Sequence, residues 1–207
     1  MSAEQWGRRP RRAMVRRHAT VTSHQVRFRM KVLLTESQIQ AGVERLAAEI
    51  AAHYGDRPLT IVAVMTGGIV FVADLIRRLN MPLRLAVVRA RSYRGEATTP
   101  GELAIDDESM LDVAGREVLV VDDIFDTGNT LFELLSRMDE LRPASVRSCV
   151  LLRKSGRRRV NIAPDHAAFD IPDEFVVGYG LDYQDLHRNL PFVAALEPHE
   201  FGASVKT

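Results

Sequence analysis

From about residue 31 onward, the apolar positions of the chain switch repeatedly between two periods. Ile39, Val43, Leu46 and Ile50 recur at helical spacing and stop at Tyr54-Gly55. Thr35, followed three residues later by Gln38, opens this helix with a capping box. LTIVAVM (59–65) is a continuous apolar run rich in β-branched residues, the pattern of a buried strand. It ends in Thr66-Gly67-Gly68, and IVFVADLIRRL is expected to continue as a helix. LRLAVVRA (83–90) predicts another strand, and the polar stretch RSYRGEATTPGEL behind it a mobile loop. REVLVVDD (116–123) carries the strongest strand signal; the helix TLFELLSRMDEL (130–141) and the strand SVRSCVLLRK (145–154) follow. EFVVGYGLD and PFVAAL read as short strands near the C-terminus. Strands buried on both faces and alternating with helices predict an α/β domain built on a parallel sheet.

Composition narrows the class. The chain has 207 residues, 46% hydrophobic and 27% charged, as expected of one globular domain plus an appendage. No apolar run is long enough to span a bilayer. The basic N-terminus is not followed by the apolar core of a secretory signal. The single cysteine, Cys149, has no internal partner, which points to a reducing, cytoplasmic setting. The overall charge of +1 hides an asymmetry: residues 1–31 carry nine basic side chains against Glu4 alone, so this tip is +8 and the remainder −7. We read residues 1–30 as a solvated basic extension, 31–200 as the folded domain and 201–207 as a tail. Such an arm can attract nucleic acid or acidic lipid, but composition alone favours a disordered segment, and no nucleic-acid or membrane partner is expected.

The chemistry concentrates in VLVVDDIFDTGNTL (118–131), where an apolar strand delivers Asp122 and Asp123 at its carboxyl end. Asp126 follows, and Thr127-Gly128-Asn129-Thr130 opens a helix. Ligands of open α/β sheets bind at the carboxyl ends of strands. A helix start offers unpaired N–H groups and positive dipole character to a phosphate. The lysine of a Walker A loop is missing. Carboxylates beside a phosphate nest repel the phosphate unless they serve another part of the ligand, and a sugar diol is the natural partner. Two acids, a nest and a short turn together describe a ribose 5-phosphate site.

This segment resembles the phosphoribosyl pyrophosphate (PRPP) motif of type I phosphoribosyltransferases, most closely that of the hypoxanthine–guanine branch. The resemblance extends over about residues 31–196. It implies a central, mostly parallel sheet flanked by helices, with a small hood for the base from the N-terminal segment and about residues 154–190. It implies that Asp122 and Asp123 hold the ribose hydroxyls, that Thr127, Gly128, Asn129 and Thr130 hold the 5-phosphate, and that Asp126 is the general acid/base facing N7 of the purine. Thr66, Gly67 and Gly68 stand at the family's pyrophosphate loop, where many relatives carry lysine or arginine in place of Thr66, and Arg188 reaches the pyrophosphate. Ser92 and Tyr93 match the start of the flexible catalytic loop. Lys154 matches the lysine that bonds the 6-oxo group, Phe175 the residue that stacks on the base, and Val176 the backbone that meets its edge. Asp182 is placed near a second magnesium and the 2-position of the base, so the metal set is Asp122, Asp123 and Asp182 with Mg²⁺ as cofactor. Family members often hold a cis peptide where this chain has Met65–Thr66.

The resemblance implies purine salvage: transfer of phosphoribosyl from PRPP to hypoxanthine and guanine, in a homodimer or homotetramer. Two alternatives stand beside it, a xanthine-preferring 6-oxopurine transferase and an RNA-binding regulator that uses the fold as a sensor. A receiver domain is rejected, because the strand after the Asp-Asp pair ends LLRKSG without an acid. His53, His166 and His187 show no metal-ligand spacing and are expected at the surface; no zinc site is implied.

Overall fold

The computed structural model describes residues 30–91, 104–105, 112–156 and 159–196. Ser92 and Tyr93, the basic extension up to residue 29 and the 201–207 tail lie outside them. The elements are β1 (Met30–Leu34), α1 (Glu36–Tyr54), β2 (Leu59–Met65), α2 (Ile69–Ile76), β3 (Leu83–Arg91) and β4 (Ala104–Ile105). Then come β5 (Glu117–Phe125), α3 (Asn129–Glu140), β6 (Ser145–Lys154), β7 (His166–Ile171), β8 (Val176–Val177) and β9 (Val193–Leu196).

The main sheet has the order β4-β3-β2-β5-β6-β7. β3, β2, β5, β6 and β7 run parallel, and only β4 is antiparallel, paired with β3 at the edge. The expected α/β architecture is therefore present. Two apolar layers cover the sheet. On one face Ile39, Val43, Leu46 and Ile50 of α1 and Phe71, Val72 and Leu75 of α2 pack on Ile61, Ala63, Leu119 and Val121. On the other, Leu131, Leu134 and Met138 of α3 pack on Val62, Val118, Val120 and Val150. Alternate residues of one strand feed opposite layers, which is why these strands read as unbroken apolar runs. The Thr35 capping box forms in full, with both reciprocal hydrogen bonds to Gln38.

A second, small antiparallel sheet, β1-β9-β8, stands beside the main one. The segment MKVLL, read only as the start of the domain, begins it at Met30. Several expectations are corrected. EFVVGYGLD contributes only Val176–Val177 as strand, because positive φ at Gly178, Tyr179 and Gly180 turns the chain out of the extended region. The helix from Ile69 stops at Ile76, short of Arg77-Arg78-Leu79. β7 was not anticipated: six residues with His166 and Asp170 near the ends show neither clean alternation nor an apolar run. His166, expected at the surface, has a side chain only 12% exposed, because β7 carries it against α1. His187 is likewise half-buried, held in the loop that precedes β9.

Candidate active site

β2 and β5 lie side by side and in parallel, so the loops at their carboxyl ends meet. Between these loops and residues 182–188 lies a cavity of about 310 Å³ lined by Thr66, Gly67, Asp122, Asp123, Asp126, Thr127, Gly128, Thr130, Asp182 and Arg188, among others. Ten candidate residues scattered over more than a hundred positions of sequence thus converge on one space. Gly68 sits behind it as the N-cap of α2, and Asn129 is exposed as the first residue of α3. Lys154, Phe175 and Val176 do not line the cavity; Lys154 meets it through Asp126, one of the lining residues.

The turn Thr127–Thr130 is fixed by its neighbours. Gly128 has φ +89°, and a Cβ there would lie 2.6 Å from Val160 Cγ2 and 2.8 Å from the Phe125 ring. Only glycine fits both the left-handed backbone and the space. Arg159 N–H donates to the Thr127 carbonyl (2.9 Å), tying the turn to the segment after β6. The turn then delivers the start of α3, whose first N–H groups have no partner within the helix.

Asp122 and Asp123 repel each other in a site that shields them from water. Asp123 N–H donates to Asp122 Oδ1 (2.9 Å). Burial first, and the Asp123 charge second, push the Asp122 carboxyl well above the usual carboxylate range. Burial raises Asp123 as well, partly offset by its hydrogen bonds and by the Arg188 guanidinium. Asp122 is buried and Asp123 half-buried, and the adjacent carboxyls suit positive charge or hydroxyl donors. Gly67 makes room for one of them: a Cβ there would fall 1.7 Å from Asp123 Oδ2. The Met65–Thr66 peptide before it is cis.

Arg188 is held in three directions. Its Nη1 donates to the Gly180 carbonyl (2.8 Å), and its Nη2 approaches Asp182 Oδ1 (2.8 Å) and Asp185 Oδ1 (3.2 Å). Asp182 Oδ2 in turn accepts from the Asp185 N–H (2.8 Å). On the hood side, Lys154 is buried with a side chain only 6% exposed, and its Nζ lies 3.4 Å from Asp126 Oδ2. Phe175 meets Tyr183 edge-on, with centroids 5.6 Å apart, and the residue remains 39% exposed. Leu196 N–H donates to the Phe175 carbonyl, and the antiparallel register pairs Val176 with Ala195. Alternation along an antiparallel strand therefore turns the Val176 N–H and C=O away from β9, toward the open edge of the small sheet. Two residues of this region escaped sequence reasoning. Tyr179 donates from its hydroxyl to Asp74 Oδ2 of α2 (2.5 Å), and Asp173 lies 3.8 Å from Lys154. Both lie within the stretch read as the hood, but only the fold brings them to these partners.

The family description "Phosphoribosyl transferase domain" matches residues 31–184. A hypoxanthine-guanine phosphoribosyltransferase of Mycobacterium avium is 37% identical over 176 residues, covering 82% of this chain and 87% of that one. The chain belongs to the hypoxanthine–guanine branch of the phosphoribosyl transferase family. A hypoxanthine phosphoribosyltransferase of Haemophilus influenzae is 37% identical over 165 residues, covering 78% of this chain and 92% of its own length. Among solved structures, a Bacillus anthracis hypoxanthine-guanine phosphoribosyltransferase with HEPES in its active site superposes with a TM-score of 0.76 at 35% identity, covering 81% of this chain and 98% of that one. A Trypanosoma cruzi hypoxanthine phosphoribosyl transferase reaches 0.79 at 35% identity, covering 86% and 97%. The phosphoribosyltransferase fold expected from the PRPP motif is therefore the fold of this chain.

Proposed function

We propose that this phosphoribosyltransferase moves the 5-phosphoribosyl group of PRPP onto hypoxanthine and guanine, releasing pyrophosphate and forming the nucleoside monophosphate. One observation carries the reading. Asp126 stands between the phosphate turn and a buried lysine, with Lys154 Nζ 3.4 Å away. A carboxylate at the purine's imidazole side and an ammonium at its 6-position suit a 6-oxopurine. An ammonium has three donors and no acceptor, so it satisfies an oxo group and cannot satisfy adenine's amino group.

In this reading the Thr127–Thr130 turn binds the 5-phosphate, and Asp122 and Asp123 accept from the ribose hydroxyls. The Thr66–Gly68 loop and Arg188 hold the pyrophosphate. Phe175 stacks on the purine, while the outward-facing Val176 backbone bonds its edge. These contacts align the base nitrogen with the anomeric carbon, and such positioning can supply several kcal/mol of barrier reduction. Asp126 takes or returns the proton at N7 as the glycosidic nitrogen becomes nucleophilic.

The oxygen donors fit a magnesium ion. Among the described residues no group of three His, Cys, Asp or Glu forms a complete metal cage. Magnesium commonly takes one or two carboxylates and fills its shell with substrate phosphates and water. The tension between Asp122 and Asp123 suits that arrangement, and Asp182 offers a further carboxylate. When bound, the ion neutralises charge on the departing pyrophosphate.

We further propose a homodimer or homotetramer. Leu85 and Val87 of β3 align with Ile61 and Ala63 on the sheet face covered by α1 and α2, yet they are 47% and 51% exposed. Ile69 of α2 adds another exposed apolar side chain on that side. Light scattering of the purified protein reads the assembly directly. Among the described residues no helix is long and apolar enough to cross a membrane. A cytoplasmic site of action accords with the lone, buried Cys149, whose thiol burial pushes far above its ordinary range.

The test is a steady-state assay with PRPP, magnesium and each of hypoxanthine, guanine, xanthine and adenine. Turnover of hypoxanthine and guanine with adenine refused is expected. Equal use of adenine contradicts the role given to Lys154, and no turnover of any base contradicts the function.

A further inference from the structure

Lys154 has a second carboxylate beside it. Asp173 lies in the turn between β7 and β8, two residues before Phe175, and its Oδ1 is 3.8 Å from Lys154 Nζ. The lysine thus bridges two parts of the site: Asp126 on the loop after β5, and Asp173 at the entrance to the base hood. Its side chain is 6% exposed, against 36% for Asp126 and 48% for Asp173, so the cation is the buried partner of both pairs.

This arrangement matters because the two carboxylates are not equivalent during turnover. Resting on the function proposed above, Asp126 is the group that carries the N7 proton, and while it does so it is neutral. A buried ammonium with Asp126 as its single counter-charge would then lose that charge just when it must hold the 6-oxo group. A buried cation left unpaired shifts toward its neutral form or withdraws to water. Asp173 lies outside the proton transfer.

We propose that Asp173 is a positioning residue for base recognition, a second carboxylate that holds the buried Lys154 directed at the 6-oxo group while Asp126 handles the N7 proton. Lys154 then donates to Asp126 and to the incoming base, with the Asp173 carboxylate 3.8 Å away as a nearby counter-charge. It follows that Asp173 acts on the base and not on PRPP, whose candidate contacts include neither Lys154 nor Asp173. Its effect also depends on its charge and not on its volume.

The experiment compares wild-type protein with Asp173→Asn and Asp173→Glu in steady-state assays, varying hypoxanthine and PRPP separately. Because Asp173 is half-exposed, a pair of this kind is expected to change the hypoxanthine KM of Asp173→Asn about fivefold. PRPP KM stays within about twofold, and Asp173→Glu restores most of the loss. Hypoxanthine KM of Asp173→Asn within twofold of wild type overturns the proposal, as does an equal loss in Asp173→Glu. Circular dichroism of each variant separates these results from misfolding, and Asp173→Ser repeats the charge deletion if Asp173→Asn is unfolded. Wild-type protein that fails to use hypoxanthine refutes the function itself, and is read before any variant.

Discussion

Gly67→Ala converts a feature of the backbone into a kinetic prediction. The added methyl would lie 1.7 Å from Asp123 Oδ2 and 2.7 Å from its Cγ. Non-bonded contact is comfortable only near roughly 3.5 Å, so the carboxylate must retreat by about 2 Å or the loop must lift. Overpacking of this kind costs about 1–3 kcal/mol. Either movement withdraws Asp123 from the ribose diol it is proposed to bind, and one charge-assisted hydrogen bond is worth about 1.5–3 kcal/mol. PRPP KM should therefore rise roughly tenfold to a hundredfold. The hypoxanthine KM should change little, since the added methyl meets only Asp123 and none of Lys154, Phe175 and Val176. The assay varies PRPP at saturating hypoxanthine, with a double-mutant cycle against Asp123→Ala. In Asp123→Ala the obstacle is gone, so adding Gly67→Ala should cost much less than it does alone. A PRPP KM within twofold of wild type, or full additivity in the cycle, refutes the reasoning.

Asp126→Asn should leave PRPP binding nearly intact and lower turnover at least about tenfold, the shallow end of what acid–base catalysis supplies; unchanged turnover removes Asp126 from its role. Tyr179→Phe deletes a hydroxyl that donates to the Asp74 carboxylate at 2.5 Å. Urea unfolding should show a loss of about 1.5–3 kcal/mol, the value of a hydrogen bond to a charged group, and an unchanged midpoint would deny the strut between the hood and α2. Burial holds His166 below the ordinary histidine range, more than its acidic neighbours Asp165 and Glu49 raise it. The unfolded chain therefore binds the proton more readily, so this group's contribution rises with pH from the depressed native value up to about 6.5 and is flat above. His166→Gln should flatten that part of the stability–pH curve, and an unaltered slope would contradict the burial argument.

The legible parts of this molecule were those whose causes are local. The capping box at Thr35, the apolar runs of β2 and β5, and the acid–acid–turn–helix unit from Asp122 to Thr130 each declare themselves within a dozen residues. β6 matched its expected span, Ser145–Lys154. What could not be read depended on distant partners. Lys154 sits in the basic run RKSGRRR, where a solvated side chain is the default, yet β7 on one side and the Asp126 loop on the other bury it. Tyr179 looks like one more aromatic in a turn until α2 brings Asp74 beneath its hydroxyl. Gly67 reads as half of a tight turn, while its structural reason is the Asp123 carboxylate that fills the space of its missing side chain. Asp173, in the turn after β7, escaped because its meaning comes only from Lys154, which β6 brings beside it.

The most direct measurement is a crystal structure with inosine monophosphate and magnesium bound. The phosphate should rest on the Thr127–Thr130 turn, the ribose hydroxyls against Asp122 and Asp123, and the 6-oxo oxygen within hydrogen-bond reach of Lys154 Nζ. A nucleotide bound elsewhere, or seated in the cleft with its base away from Lys154 and Asp126, would contradict the assignment.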